Sequence, residues 1–197
     1  MATMVSFSII TAAPTMAAGN ASAGKGKAAV CAACHGEDGN SLSNLFPKLA
    51  GQGEPYLVKQ LQEFKSGARN NAVMTAMVAA LSNQDMADLA AYYASNKITP
   101  GAVSEEFVEA GQHIFRAGNK ETGLPACMAC HGPTGAGVPA AKWPALAGQH
   151  SAYIEAQLKA FAAGTRSNDT NSMMHDIAGK MTDDEMKAVS AYITGLH

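Results

Sequence analysis

The sequence predicts an all-α protein built from two tandem copies of one domain. Apolar residues recur at helical spacing in several segments, with Ser, Thr, Gly or Pro near their ends. No segment alternates apolar and polar residues as a half-buried strand does. The second half of the chain repeats the order of segments of the first half, which indicates a duplicated domain.

The repeat has a constant spacing. Residues 47–52, Pro-Lys-Leu-Ala-Gly-Gln, return as Pro-Ala-Leu-Ala-Gly-Gln, and residues 56–69 return with the same Tyr, Gln, Phe, Gly and Arg positions, each segment 97 positions later. A stretch containing Thr-Pro-Gly breaks the helical pattern between the halves. We therefore expect an N-terminal domain at 18–97, a linker at 98–103 and a C-terminal domain at 104–197.

Three helices are expected in the first half. The first covers residues 21–33, with Ser22 as its N-cap, and the second covers 54–65, with an apolar stripe and a glycine after it. The third begins at Ser82, with Asp85 at the spacing of a capping box.

The second half repeats this order with one addition. We expect helices at 104–116 and 151–163 and a last helix from Thr182, with an extra loop at 117–126 before the middle of the domain.

The N-terminal residues resemble a secretory signal. Residues 1–17 contain an apolar run at 5–10 and a small-residue cleavage site at 15–17. No Lys or Arg precedes the run, so we expect that this segment is the rear part of a longer signal; a flexible tail is the alternative. Nothing else in the sequence approaches the ~20 apolar residues of a membrane span. The expected location is the periplasm, either soluble or in peripheral association with the inner membrane.

Two pentapeptides contain every cysteine of the chain. They are Cys31-Ala-Ala-Cys34-His35 and Cys127-Met-Ala-Cys130-His131. In each, two thiols one helical turn apart are followed directly by an imidazole, the spacing that attaches a haem covalently and ligates its iron. The motifs predict two haem c groups held by thioethers, with His35 and His131 as axial ligands.

Other uses of Cys-x-x-Cys fit the sequence less well. Structural zinc pairs usually lie within about 20 residues of each other, whereas these pairs are 96 positions apart. A thioredoxin-like pair belongs in a strand-helix-strand setting, and these pairs lie in alanine-rich helical sequence.

Eleven methionines compete for the sixth iron ligand. A methionine ligand raises the reduction potential and suits a haem that only carries electrons. Aligning the last helices of the two halves pairs Met74 with Met174, whereas Met77 and Met173 have no methionine counterpart. Methionines inside the last helices are better explained as core residues. We therefore predict Met74 and Met174 as axial ligands, expecting both in irregular chain before the last helix.

Two further duplicated pairs have weaker assignments. The carbonyls of Pro47 and Pro144 are candidates to bond the proximal imidazoles, although both prolines also suit ordinary turns. Arg69 and Arg166 are candidates to pair haem propionates, with solvated arginines as the alternative.

The charge distribution excludes one class of partner. The formal net charge is −2, so there is no basic excess to bind nucleic acid. Residues 18–98 contain seven basic and six acidic side chains, and residues 99–197 contain seven and ten. This asymmetry predicts a molecular dipole that orients redox partners.

The motifs with Phe46–Gln52 and the C-terminal Tyr-Ile-x-Gly-Leu-His resemble the dihaem cytochrome c4 family over nearly the whole mature chain. The resemblance implies two class I cytochrome c domains related by a pseudo-two-fold axis. It also implies electron delivery from a cytochrome bc complex to a terminal oxidase, or exchange with other periplasmic carriers. The segment from Arg69 to Met74 is three positions shorter than its counterpart.

The expected function is therefore electron transfer without catalysis. The alternative is a redox subunit of an enzyme, or a dihaem enzyme such as a peroxidase or a sulfur-compound dehydrogenase, which needs an open or displaceable iron position. A haem-based sensor subunit is a further rival, and it would lack one axial methionine.

Overall fold

The computed structural model describes residues 18–197, and the predicted signal segment at 1–17 lies outside the described residues. Regular structure in the described part consists of α-helices and two single 3₁₀ turns, at Pro139–Ala141 and Thr170–Ser172. The α-helices are α1 (Ala21–Lys27), α2 (Ala29–His35), α3 (Glu54–Ser66), α4 (Ala72–Val78), α5 (Asn83–Ser95), α6 (Glu105–Ala117), α7 (Met128–His131), α8 (Ser151–Ala162), α9 (Met173–Ala178) and α10 (Asp183–Gly195). The all-α prediction is confirmed.

The first and last helices of each half cross closely. A Cβ added at Gly24 in α1 would lie 2.0 Å from the carbonyl oxygen of Asp88 in α5. A Cβ added at Gly111 in α6 would lie 2.4 Å from the carbonyl oxygen of Ala188 in α10. Only glycine permits such backbone approach, and α3 and α8 then pack against the same last helices. The two halves therefore share one architecture.

Local capping signals position the last helices. Ser82 accepts a hydrogen bond from the Asp85 backbone N–H, and the Asp85 carboxylate accepts one from the Ser82 N–H. Thr182 and Glu185 form the same reciprocal pair at the start of α10. Gly67 closes α3 in a left-handed conformation. These signals act within four residues. The sequence predicted the Ser82–Asp85 pair and the glycine after α3, and for α10 it predicted the start at Thr182.

The N-terminal helix differs from its prediction. Asn20, not Ser22, caps α1, and the helix is interrupted at Ala28 before α2 begins. The expected extra loop at 117–126 carries a small antiparallel bridge between Asn119 and Leu124.

The two segments before the last helices also differ from their prediction. They contain the short helices α4 and α9, where irregular chain was expected. Helices of seven and six residues are marginal alone, so they form through packing against α3 and α8.

Residues 96–104 connect α5 to α6 without helix. Among residues 18–197, no helix combines the length and the apolar character needed to cross a membrane.

Candidate haem sites

The two Cys-x-x-Cys-His motifs open onto one cavity. Cys31, Cys34 and His35 belong to α2, and Cys130 and His131 belong to α7, with Cys127 directly before it. All six side chains line a cavity of about 780 Å³ that runs through both halves of the molecule. Most of the other lining residues are apolar, including Leu57, Phe64, Leu89, Ile154 and Phe161. This lining suits a large apolar ring with a few polar groups at its edge.

Each motif histidine is held in one orientation by a proline carbonyl. The Nδ1 atom of His35 lies 2.8 Å from the Pro47 carbonyl oxygen, and the Nδ1 atom of His131 lies 2.9 Å from that of Pro144. A carbonyl oxygen only accepts, so Nδ1 carries the proton in both rings and Nε2 keeps its lone pair. The geometry predicted for both prolines is present.

Burial keeps these imidazoles neutral. The exposed fraction is 7% for His35 and 8% for His131. Desolvation lowers the pKa of both rings, against a smaller opposing effect of the hydrogen bond to the proline carbonyl. A neutral imidazole with a free Nε2 is the form that ligates iron.

Burial disfavours the ionised form of the first thiol in each motif. Desolvation raises the pKa of Cys31, and it raises the pKa of Cys127 to about 11. A thiolate zinc site needs four ionised sulfurs. Within residues 18–197, no group of three or more His, Cys, Asp or Glu side chains could hold a metal ion. The structure therefore gives no support to the zinc alternative.

The predicted axial methionines come from the short helices. Met74 in α4 and Met174 in α9 are half-buried and line the cavity. Asn71 caps α4 by accepting from the Met74 N–H at 2.9 Å, and Asp169 accepts from the Met174 N–H at 2.7 Å. A side-chain cap thus fixes the backbone of each methionine.

Neighbouring methionines share the cavity wall. Met77 and Met173 also line it, and Met77 has an exposed fraction of 42%. Met86 and Met186 are buried in the helix packing and do not contribute to the lining. The assignment of Met74 and Met174 over their neighbours therefore stays a prediction.

The two arginines connect the halves at the cavity. Arg69 donates to Gln60 of its own half and to Tyr153 and Gln157 of the other, and its guanidinium lies 4.6 Å from the centre of the Phe64 ring.

Arg166 makes the reciprocal set of contacts. It donates to Gln157 of its own half and to Tyr56 and Gln60 of the other, over the Phe161 ring. Neither arginine is simply solvated. Both line the cavity, so pairing with propionates stays a prediction for both.

Two glutamines form a second reciprocal contact, which the sequence analysis missed. Gln52 donates to the Ala145 carbonyl and accepts from the Ala145 N–H, at 2.9 and 2.8 Å. Gln149 makes the same pair of bonds to the backbone of Lys48, both at 2.8 Å. These residues are duplicated in the repeat. A glutamine at the same position of both halves is the sequence signal that could have revealed them. The pattern shows a pseudo-two-fold axis between the halves.

Lys48 adds a contact without a counterpart. Its ammonium donates to the Thr99 carbonyl of the connecting segment and to the Gly148 carbonyl at 3.1 Å. Burial lowers the pKa of this lysine. The second half has Ala145 at this position. Lys48 therefore joins the N-terminal half to the connecting segment and to the C-terminal half, and no second lysine repeats these bonds.

Comparison with known proteins agrees with this site. The cytochrome c family model matches twice, at residues 21–97 and 108–197. A cytochrome c4 of Azotobacter vinelandii is 50% identical over 191 residues, which cover 92% of this chain and 91% of the relative. A thiosulfate dehydrogenase electron acceptor of Thiomonas intermedia is 44% identical over 175 residues, covering 85% of this chain and 78% of the relative.

A solved structure shows the same architecture. The crystal structure of reduced recombinant cytochrome c4 from Pseudomonas stutzeri matches with a TM-score of 0.89 and 46% identity, covering 91% of this chain and all of that chain. The tandem domain match, the sequence identity over most of the chain and this structural match agree with one another. The chain therefore belongs to the cytochrome c4 family, and it is an electron carrier with two covalently bound haem c groups.

Proposed function

We propose that this chain carries single electrons in the periplasm from a cytochrome bc complex to a terminal oxidase, through two haems ligated by histidine and methionine. The observation that carries the proposal is the single cavity lined by both motifs and by methionines of both halves. Two adjoining sites in one chain support electron passage between them without a second encounter.

The ligands in this proposal line the cavity in each half. Cys31 and Cys34 form the thioethers in the first half, with His35 and Met74 as axial ligands. The second half uses the corresponding residues Cys127, Cys130, His131 and Met174. The haem supplies one-electron exchange between ferric and ferrous iron, and the protein holds the ligands in place.

The chain's own contacts support a carrier with closed coordination. The Pro47 and Pro144 carbonyls fix the imidazoles, and the caps Asn71 and Asp169 fix the methionine backbones. Ligands fixed in this way would move little when the iron changes its charge, and small movement favours fast electron transfer. Two protein ligands on each iron would also leave no coordination position for a substrate.

The proposal includes the domain limits and the location. Residues 18–97 and 104–197 form the two haem domains, with 98–103 as the linker and 1–17 as the signal segment. Covalent haem attachment and the apolar N-terminal segment support the periplasm. Peripheral association with the inner membrane would place the chain near both proposed partners.

A sulfur-oxidising pathway supplies a second candidate donor. The relative from Thiomonas intermedia is a thiosulfate dehydrogenase electron acceptor, and its 44% identity favours this alternative specifically. The chain would then accept electrons from a thiosulfate dehydrogenase, with its own chemistry unchanged.

Reconstitution with purified partners tests the donor and the acceptor. The ferric chain is mixed with a cytochrome bc complex and quinol, or with thiosulfate dehydrogenase and thiosulfate, and reduction is followed in the haem absorbance. We expect reduction by the bc complex with two electrons per chain, followed by reoxidation on addition of a terminal oxidase. Reduction by thiosulfate dehydrogenase alone would establish the second donor. Failure with both donors would contradict the proposed function.

A further inference from the structure

One buried hydroxyl beside the cavity has no hydrogen-bond partner. Tyr93 of α5 is 3% exposed and lines the cavity, and its hydroxyl bonds to no other described group. Among residues 18–197, the only other buried hydroxyl of this kind is that of Ser190, which does not line the cavity. A buried hydroxyl without a partner destabilises a fold, and phenylalanine would fill the same space without that cost. The Tyr93 hydroxyl is therefore expected to serve the group that the cavity binds.

The surroundings hold the Tyr93 ring in place. The ring belongs to an apolar cluster with Ala28, Leu57 and Leu89. On another side, a Cβ added at Gly39 would lie 2.8 Å from the Cδ1 atom of the ring. Close packing of this kind leaves the hydroxyl little freedom except rotation about its own carbon–oxygen bond.

The sulfur of Cys31 is a neighbour of this hydroxyl. Cys31 packs against the same apolar cluster as the tyrosine ring. Desolvation raises the pKa of Cys31, and the Tyr93 hydroxyl opposes this increase because a nearby donor favours the ionised sulfur. Desolvation also raises the pKa of Tyr93, and the Cys31 sulfur adds to that increase. The hydroxyl therefore keeps its proton and can act as a donor beside this sulfur.

The C-terminal half has isoleucine in place of this tyrosine. The Tyr93 carbonyl accepts a hydrogen bond from the Gly51 N–H at 2.9 Å, and the Ile193 carbonyl accepts one from the Gly148 N–H at 3.0 Å. The two glycines occupy the same repeat position, so Ile193 corresponds to Tyr93. Ile193 is 2% exposed and lies in the apolar cluster against which Cys127 packs. A hydroxyl beside the first motif cysteine therefore distinguishes the N-terminal half from the C-terminal half.

We propose that the Tyr93 hydroxyl donates a hydrogen bond to the thioether sulfur of Cys31 and thereby raises the reduction potential of the N-terminal haem. The inference deepens the electron-carrier function and rests on it. A thioether sulfur is a weak acceptor, and this one is covalently joined to the haem. The donated hydrogen places partial positive charge beside the haem, which favours ferrous over ferric iron. Because Tyr93 acts through the Cys31 sulfur, it is a positioning residue and not an iron ligand.

Removing one hydroxyl at a time tests this contact in the full chain with both haems attached. Tyr93→Phe keeps the ring and removes the hydroxyl. Tyr92→Phe is the control, because the Tyr92 hydroxyl donates to the Glu37 carbonyl at the surface and Tyr92 does not line the cavity. We expect Tyr93→Phe to lower the equilibrium constant for reduction of one haem about threefold, or ~30 mV, in spectroelectrochemistry. The other haem of this variant and both haems of Tyr92→Phe should keep the wild-type potentials.

Resonance Raman spectroscopy tests whether the sulfur is the acceptor. One carbon–sulfur stretching band of the wild type should shift on transfer to heavy water, and this shift should be lost in Tyr93→Phe and kept in Tyr92→Phe. A deuterium shift that is absent from the wild type, or that persists in Tyr93→Phe, would overturn the proposed contact. Equal potentials in Tyr93→Phe and the wild type would also overturn it. Fewer than two one-electron transitions in the wild type would instead contradict the carrier function.

Discussion

In the N-terminal half, five positions separate Arg69 from Met74, and in the C-terminal half eight separate Arg166 from Met174. The longer segment of the second half contains the turn at 170–172, which has two consecutive non-glycine residues with left-handed torsions. Such torsions each cost about 1 kcal/mol or more. Both methionines nevertheless line the same cavity, so segments of two lengths each bring a methionine to it.

The contacts between the halves behave differently from these loops. The glutamine pair and the arginine pair repeat their bonds across the pseudo-two-fold axis. Each of these side chains bonds to residues of the other half, so a change in one half removes bonds to the other. The loops near solvent have no such constraint. The halves therefore remain alike where they meet and differ in these loops.

The largest expected effect concerns the helix crossings, which the halves share. Gly24→Ala and Gly111→Ala each force a Cβ against a backbone oxygen, and we expect a loss of about 3 kcal/mol or more in the free energy of unfolding. Urea unfolding followed by circular dichroism measures it. Gly26→Ala is the control, because nothing lies within 4 Å of its Cβ, and a helical alanine there should stabilise by up to ~1 kcal/mol. An unchanged free energy of unfolding in Gly111→Ala would show that α6 and α10 are less closely packed than α1 and α5.

A smaller loss is expected at the glutamine pair. Gln52→Ala leaves the half-buried backbone N–H and C=O of Ala145 unpaired, and Gln149→Ala leaves the buried ones of Lys48 unpaired, each at a cost of about 2 kcal/mol. The exposed Gln112→Ala should change the stability little. The same unfolding measurement applies, and clearly unequal losses at the two glutamines would break the symmetry of the interface.

Acid should distinguish the halves through a carboxylate that only the first contains. Hydrogen bonding to Lys27 lowers the pKa of Asp88 to about 2, and the aligned residue of the second half is Ala188. The folded pKa is below the unfolded value of ~3.9, so this contribution is present above pH ~4 and is lost as the pH falls towards 2. Hydrogen exchange should then show α1 and α5 opening before α6 and α10. Asp88→Ala should remove the difference in pH dependence, and simultaneous opening in the wild type would contradict this cause.

The smallest effect is expected from exchanging the two methionine caps. Asn71 offers a neutral amide where Asp169 offers a carboxylate. A negative charge beside the cavity stabilises ferric iron, so Asp169→Asn should raise the potential of the C-terminal haem and Asn71→Asp should lower that of the N-terminal haem. Spectroelectrochemistry resolves the two transitions. Shifts of the same sign in both variants would mean that the caps act through ligand position and not through charge.

Signals that act over a few residues could be predicted from the sequence. The motifs, the caps Ser82 and Thr182 and the terminator Gly67 each depend on neighbours within four positions. The choice of Asn20 over Ser22 as the N-cap of α1 does not depend on such near neighbours alone. The backbone N–H of Asn20 donates to the Asp88 carboxylate, 68 positions away, and this bond fixes where α1 begins.

Local sequence signals also could not predict the interface between the halves or the two short helices. Gln52 and Gln149 were visible as repeated residues, but their partners lie about 100 positions away on the other half. The helices α4 and α9 are too short to form without the tertiary packing that the sequence does not display. That the predicted ligands of both halves line one cavity could be seen only when the fold was known.

The methionine-to-ferric-iron charge-transfer band tests the central claim of two histidine–methionine haems most directly. Met74→Leu and Met174→Leu conserve side-chain volume and should each remove half of the band and lower one potential, and the double variant should lose the band entirely. Met77 and Met173 line the same cavity, and the variants Met77→Leu and Met173→Leu should keep the full band. Loss of half the band in Met77→Leu or Met173→Leu, with the band retained in the corresponding Met74 or Met174 variant, would contradict the ligand assignment.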